Sequence, residues 1–163
     1  MRLGPYLLGE RLGLGGMAEV YVGERAGPHG FAKKFAIKRI LPELAKDSRF
    51  VAMFVDEARI CAALQHPNIV QVVDFGESEG ELFMAMEYVD GVSVARLLRN
   101  VAGKRESFPL SISLLIARDV LRGLSHAHEA TDEQGSPLNL GHRDVSPGNE
   151  LISRAGEVKL GDL

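Results

Sequence analysis

Apolar and polar residues alternate in five short segments of the first half, Tyr6–Gly13, Glu19–Glu24, Lys33–Ile40, Val70–Phe75 and Glu81–Tyr88. A period of two places one face of each segment on a core, so the pattern predicts β-strands. Turn residues separate them: Ala26-Gly27-Pro28-His29-Gly30 is the clearest loop, and Gly76–Gly80 joins the last two strands. Between the third and fourth segments the period becomes helical, with Phe50, Phe54, Ala58, Cys61 and Leu64 on one face. Asp47-Ser48 supplies the N-cap. The helix is expected to end near His66-Pro67, because a residue before proline avoids the helical conformation.

After Val89-Asp90-Gly91 the chain turns mainly helical. Val94–Asn100 predicts a short helix and Ser111–Glu129 a long one, with Leu114, Ala117, Leu121, Leu124 and His128 on one stripe. Ala130–Leu140 is polar and contains Gly and Pro, so it reads as a loop. Leu151-Ile152-Ser153 and Val158-Lys159-Leu160 flank Arg154–Glu157 as a small hairpin. There is no internal repeat and no low-complexity tract. The layout is α+β: a small sheet with one helix, then a helical part.

Composition narrows the class without choosing a function. At 163 residues the chain holds one ordinary domain, and 45% apolar residues are enough for a core. The net charge of −3 gives no basic surface for nucleic acid or for an anionic membrane. A single cysteine, Cys61, excludes an internal disulfide and a cysteine-cluster metal site. Glu10 and Arg11 interrupt the apolar start, so no signal peptide is read there, and no run approaches the roughly 20 apolar residues of a membrane span. A soluble, cytoplasmic domain is expected.

Three places carry candidate chemistry. His142-Arg143-Asp144-Val145-Ser146-Pro147-Gly148-Asn149 sets an acid and an amide five positions apart. Asp144 can take a proton from an attacking hydroxyl, and Asn149 can offer a carbonyl oxygen to a hard cation; Asp162 is a second carboxylate beyond a short apolar segment. Gly13-Leu14-Gly15-Gly16-Met17-Ala18-Glu19-Val20 is a glycine-rich turn. It reads as a plain hairpin turn more readily than as a phosphate cradle, in which glycines permit φ > 0 and close backbone approach. A dinucleotide-binding turn would need a helix after it, whereas Glu19–Val22 has strand character. Lys38 shares a strand face with the small apolar Ala36, unlike Lys33 and Lys34, which read as solvated edge residues. Glu57, beside the apolar stripe of the helix, is an ordinary solvated glutamate unless it pairs with Lys38. Of the histidines, His66 caps or packs at the helix end, His126 and His128 follow a helical pattern, and His29 lies in a loop.

Taken in order, these segments resemble the eukaryotic-type serine/threonine protein kinase family, above all its bacterial members. The resemblance rests on Gly13-x-Gly15-x-x-Ala18-x-Val20, Ala36-Ile37-Lys38, Glu57, His66-Pro67-Asn68-Ile69-Val70, Met86-Glu87-Tyr88-Val89-Asp90-Gly91, His142-Arg143-Asp144 with Asn149, and Asp162-Leu163. It implies a protein-kinase-like fold with a five-stranded antiparallel N-lobe sheet and one helix in residues 1–89, hinge included, and an incomplete, mainly helical C-lobe in residues 90–163. It also implies ATP and Mg²⁺ as cofactors and a protein serine or threonine hydroxyl as acceptor. In that family pattern Leu12, Gly13, Gly15, Gly16 and Ala18 cover the ATP phosphates. Lys38 holds the α- and β-phosphates and pairs with Glu57. Glu87 and Val89 offer main-chain groups to adenine, Met86 stands behind it, and Val20, Ala36 and Leu151 sandwich the ring. Asp144 orients the hydroxyl and takes its proton, while Asn149 and Asp162 hold Mg²⁺.

Three positions depart from the family pattern. Ala18 replaces a third glycine, Leu163 a phenylalanine, and Ser146 a lysine that would put positive charge on the transferred phosphoryl group. The resemblance also breaks off at Leu163. A truncated kinase domain with little activity on its own is therefore expected, the alternative being a non-catalytic ATP-binding or interaction module derived from a kinase.

Overall fold

The alternating segments pair into one antiparallel sheet in the computed structural model, which describes residues 1–131, 134–138, 140 and 144–161. Its strands are β1 (Arg2–Leu3), β2 (Tyr6–Leu14), β3 (Ala18–Ala26), β4 (Ala32–Ile40), β5 (Val72–Ser78) and β6 (Glu81–Glu87), in the order β1-β2-β3-β4-β6-β5. The five expected strands are all present, and Arg2–Leu3 adds a sixth, too short to show a period. One face of the sheet buries Leu3, Tyr6, Leu8, Phe35, Ile37, Phe83 and Ala85. Tyr6 meets the edges of Phe35 and Phe83 with ring centroids 5.3 and 5.8 Å apart. A side chain at Gly23 would collide with Ile37, so glycine there lets β3 lie against the core.

Helix α1 (Ser48–Ala63) lies on the other face, where Phe54 touches Phe75. Asp47 supplies the cap: its carboxylate accepts from the Arg49 N–H at 2.9 Å. Phe54, Ala58 and Cys61 are buried as the helical period predicts, whereas Phe50 is only half-buried. Lys33 and Lys34 are exposed at the end of β4 that pairs with β3 but lies beyond the β4–β6 ladder, so they are edge residues of an otherwise central strand. Together these elements make up one compact unit, Met1–Ala63 with Gln71–Tyr88.

The second unit comprises Leu64–Val70 and Val89–Leu163. It holds α2 (Val94–Gly103), α3 (Leu110–His128) and a three-stranded antiparallel sheet of β7 (Gly91–Ser93), β8 (Glu150–Ser153) and β9 (Val158–Leu160). The expected hairpin is β8–β9; β7, only three residues long, was not legible as a strand. Val94, Ile116, Val120, Val158 and Leu160 form the core of this unit, with Phe108, Leu124 and Ile152 against it.

The stripe expected on α3 needs correction. Ile116, Val120, Gly123 and Ala127 are buried, while Leu114 and Leu121 are 62% and 64% exposed. Leu110, Ile112, Leu114, Leu115, Ile116, Val120 and Leu121 make this helix apolar on more than one side, so periodicity alone does not choose the buried side. Contact does: the small Gly123 lets the helix approach Asn68, whose carbonyl oxygen would be 2.9 Å from an added Cβ. No helix among the described residues is long and apolar enough to cross a membrane.

Candidate active site

In the first unit the sheet register gathers the expected residues on one face. Val20 lies opposite Lys38, which lies opposite Met84, and Val22, Ala36 and Met86 make the next row. Opposed residues of antiparallel strands share a face, so Val20, Ala36, Met86 and Lys38 line the side that carries α1. This is not the side buried by Phe35 and Ile37, so Lys38 is half-buried rather than in the strand's most apolar row. Its ammonium reaches Glu57 on α1 at 2.5 Å, with the two side chains 12% and 22% exposed. Helix and sheet are thereby joined through charge at the position where the motif requires a cation.

The glycine-rich segment forms the hairpin turn between β2 and β3, the reading favoured from sequence. Gly13, Gly15 and Gly16 all have ordinary negative φ, so none is needed for a left-handed conformation. A Cβ at Gly13 or Gly16 would meet nothing within 4 Å, so packing does not require them either. Gly13 pairs with Val20 and Leu14 with Glu19, which extends the hairpin almost to its tip; the Gly15 N–H donates to the Ala18 carbonyl at 2.8 Å. Leu12 is exposed, Ala18 is buried and Val20 is half-buried.

At the far end of β6, Glu87 exchanges bonds with Gln71. The Glu87 N–H donates to the Gln71 carbonyl at 2.9 Å, and the Gln71 N–H donates to the Glu87 carboxylate at 2.8 Å. This fixes the strand end at Glu87, where the segment expected to meet adenine begins. Gln71 drew no attention in the sequence, since nothing local marks it as a partner of Glu87.

In the second unit Asp144 and Asn149 come together. The Asn149 amide donates from Nδ2 to the Asp144 carboxylate at 3.0 Å and to its carbonyl at 3.1 Å. With Nδ2 so used, Oδ1 is the atom able to ligate a cation. The loop is tied at three further points: Asn149 N–H to Ser146 O, Gly161 N–H to Asn149 O, and Ala95 N–H at the start of α2 to Pro147 O, at 2.9, 2.8 and 2.8 Å. Leu151 is half-buried on β8, and Val89 is half-buried ahead of β7. Asp162, the other expected metal ligand, lies outside the described residues, as do His142 and Arg143.

Two further polar features stand out, the first of them missed from sequence. Glu19 is the buried polar side chain among the described residues, and its carboxylate accepts from Arg39 Nε at 2.6 Å and Tyr21 Oη at 2.9 Å. Burial alone would raise its pKa, but the bonds from Tyr21 and Arg39 and the charges of Arg39 and Arg11 outweigh it and hold the carboxyl below its usual value. His66, expected to pack at the helix end, stacks on His126 with ring centroids 5.0 Å apart and accepts the Asn68 N–H on Nδ1.

Comparison with known proteins gives this arrangement its class. Residues 6–163 match the family described as the protein kinase domain. The chain belongs to that family. It is 45% identical over 160 residues to the tyrosine-protein kinase MasK of Myxococcus xanthus, a match covering 98% of this chain and 25% of that protein. It is 36% identical over 162 residues to the serine/threonine-protein kinase PknB of Mycobacterium leprae, covering 97% of this chain and 24% of that one. The crystal structure of a cysteine-to-alanine mutant of the Mycobacterium tuberculosis PknI kinase domain is similar with a TM-score of 0.75 and 31% identity, covering 99% of this chain and 60% of that chain. The fold is the protein-kinase-like α+β fold, and the chain corresponds to the N-terminal portion of the domain. It spans about a quarter of the length of these full-length relatives.

Proposed function

We propose that this chain carries the ATP- and Mg²⁺-binding portion of a serine/threonine protein kinase, with residues 1–89 as N-lobe and hinge, residues 90–163 as the first part of the C-lobe, and the cytoplasm as its compartment. The observation that carries the reading is the Lys38–Glu57 ion pair on the sheet face shared by Val20, Ala36 and Met86. A half-buried lysine held by a helical carboxylate is what a phosphate-binding amine needs: its charge is kept and its direction fixed.

The residues present fit the two cofactors. Open space above Gly13 and Gly16 leaves room for phosphate oxygens to approach backbone N–H groups. The oxygen donors of Asn149 and Asp162 suit a hard cation. When bound, Mg²⁺ would neutralise charge on the phosphates. Lys38 would hold the α- and β-phosphates, and Glu87 and Val89 would meet adenine through main-chain groups. Asp144 would orient the acceptor hydroxyl. As the new O–P bond forms and the bond from the γ-phosphorus to its bridging oxygen breaks, the hydroxyl proton passes to the Asp144 carboxylate.

Incubation with radiolabelled ATP and a generic protein acceptor tests the reaction. Label on serine or threonine that disappears in Asp144→Asn supports it, and label confined to tyrosine would overturn the acceptor class. A second reading, a nucleotide-binding module without catalysis, is favoured by Ser146, which brings no positive charge to the Asp144–Asn149 loop. Because the truncated chain is expected to transfer little label on its own, Mg·ATP stabilisation with no transfer even when the chain is extended by the rest of a kinase domain would decide for it.

A further inference from the structure

Lys38 and Arg39 are consecutive, yet their charges are answered on opposite faces of the sheet. Lys38 pairs with Glu57 on α1, whereas Arg39 points to the core face, where it donates to Glu19 at 2.6 Å and to Glu81 at 2.9 Å. Arg39 also lies over the Tyr21 ring at 5.5 Å, and Arg11 Nη1 stands 3.8 Å from the Glu19 carboxylate. One polar cluster thus joins β2, β3, β4 and β6.

We infer that the Glu19–Arg39 pair is the device that fixes the root of the glycine-rich turn next to the Val20–Lys38 pair, which makes both of them positioning residues for nucleotide phosphates; the inference rests on the nucleotide reading above. A buried ion pair is a poor source of stability, because desolvation offsets much of the attraction, and its better attested use is to specify register. Register is irregular only between β2 and β3 here, since the β3–β4 ladder that contains the pair runs unbroken from Ala18 opposite Ile40 to Ala26 opposite Ala32. The β2–β3 ladder is irregular between Leu8 and Arg11 and again between Arg11 and Gly13, so its backbone bonds do not alone fix how far β3 extends. Glu19 and Arg39 are directly opposed, and the adjacent pair is Val20 and Lys38.

A slip of one residue would send each side chain to the other face. Arg39 would then face α1, and Val20 would leave its place opposite Lys38. Beyond Glu19 the turn is fastened by the Gly15 N–H to Ala18 O and the Leu41 N–H to Met17 O, at 2.8 and 2.9 Å. Both bonds lie on the turn side of the ion pair, while Gly13 and Gly16 would offer a Cβ no neighbour within 4 Å. At the root of the turn Glu19 pairs with Arg39 of β4 and also draws Arg11 of β2, which holds β2 to β3 where their ladder is irregular.

Amide hydrogen exchange read by NMR on the chain without nucleotide tests this directly. In Arg39→Met and Glu19→Gln, exchange at Gly15 and Leu41 should quicken on the order of tenfold, the loss of about one net hydrogen bond. Exchange across the β4–β6 ladder should stay within about twofold, and Arg39→Lys, which keeps the charge, should fall between. In the same variants the affinity for Mg·ATP should drop on the order of tenfold while that for adenosine, which has no phosphates, stays the same. A uniform quickening over the whole sheet, unchanged exchange at Gly15 and Leu41, or equal loss of ATP and adenosine binding would each overturn the inference. Glu19→Gln retains an acceptor for Tyr21, so it carries the comparison should Arg39→Met fail to fold. If the unaltered chain binds neither ATP nor adenosine, the nucleotide reading falls and the phosphate-positioning role with it. The exchange pattern then still decides whether the pair holds the turn.

Discussion

The side chain of Asn68 donates from Nδ2 to the carbonyl oxygen of Val158, 2.8 Å away across 90 positions of sequence. Around this bond the segment His66–Val70 is laid onto β9: Val70 N–H donates to Leu160 O, and Leu160 N–H returns a bond to Asn68 O. The His66-Pro67-Asn68 motif is therefore a clasp in the second unit, with proline ending one helix and asparagine finding the strand.

Replacing Asn68 by alanine leaves the Val158 carbonyl without its side-chain donor. A loss of about 1–2 kcal/mol is expected. Thermal unfolding should show a fall in Tm of about 2–8 °C, and a Tm equal to that of the unaltered chain would show that water replaces the bond without cost.

Gly123→Ala tests the approach of α3 to the same segment. An added Cβ would lie 2.9 Å from the Asn68 carbonyl oxygen, which Leu160 holds in place. Alanine improves helix propensity by about 1 kcal/mol, but overpacking costs about 1–3 kcal/mol and should win. Gly103→Ala, at the end of α2 with nothing within 4 Å, should instead stabilise. Chemical denaturation of both variants checks that the signs are opposite.

Lys38→Met should abolish any stabilisation by Mg·ATP, and Glu57→Gln should reduce it, because Glu57 directs the amine through the ion pair. For the unaltered chain, nucleotide at about 100 times its Kd should add about 2.7 kcal/mol. Differential scanning fluorimetry with and without Mg·ATP reads the result. An undiminished shift in Lys38→Met would remove this lysine from the site.

The His66 ring makes stability depend on pH. Burial, and then the charges of His126, Arg122 and Lys159, hold its pKa below the ordinary value of about 6.5. Glu129 also lines the cavity beside it, with Arg122 and His126. Because the folded state prefers the neutral ring, the unfolded chain takes up the proton first. Stability is then full above about pH 6.5 and falls as the pH drops towards the lower folded pKa. Protonating Nδ1 also breaks the bond from Asn68 N–H. Between pH 7 and pH 5, measured by urea unfolding, the unaltered chain should lose more stability than His66→Gln; equal losses would show that His66 does not titrate in this window.

Much of the first unit was legible because a strand between a core and a helix must alternate. Phe35 and Ile37 on one side, and Ala36 and Lys38 on the other, display that rule directly. Lys38 and Glu57 could be paired from sequence only by motif, since 19 positions separate them. Glu19 and Arg39 were not legible at all: each looks like an ordinary strand charge, and only the register makes them direct partners on a core face. On α3 the pattern misled, because a helix apolar on several sides has no single stripe to read.

The sequence alone determined the strand and helix segments, the class of chemistry offered by Lys38, Glu57, Asp144 and Asn149, and the family. Each of these follows from local periodicity or from residue types at fixed spacing. Tertiary structure alone decided which side of α3 is buried, that Asn68 closes on Val158, and that Arg39 answers Glu19 rather than solvent. The physical reason is that burial and pairing depend on which distant backbone comes within hydrogen-bond reach, and a local pattern of residues carries no record of that distance.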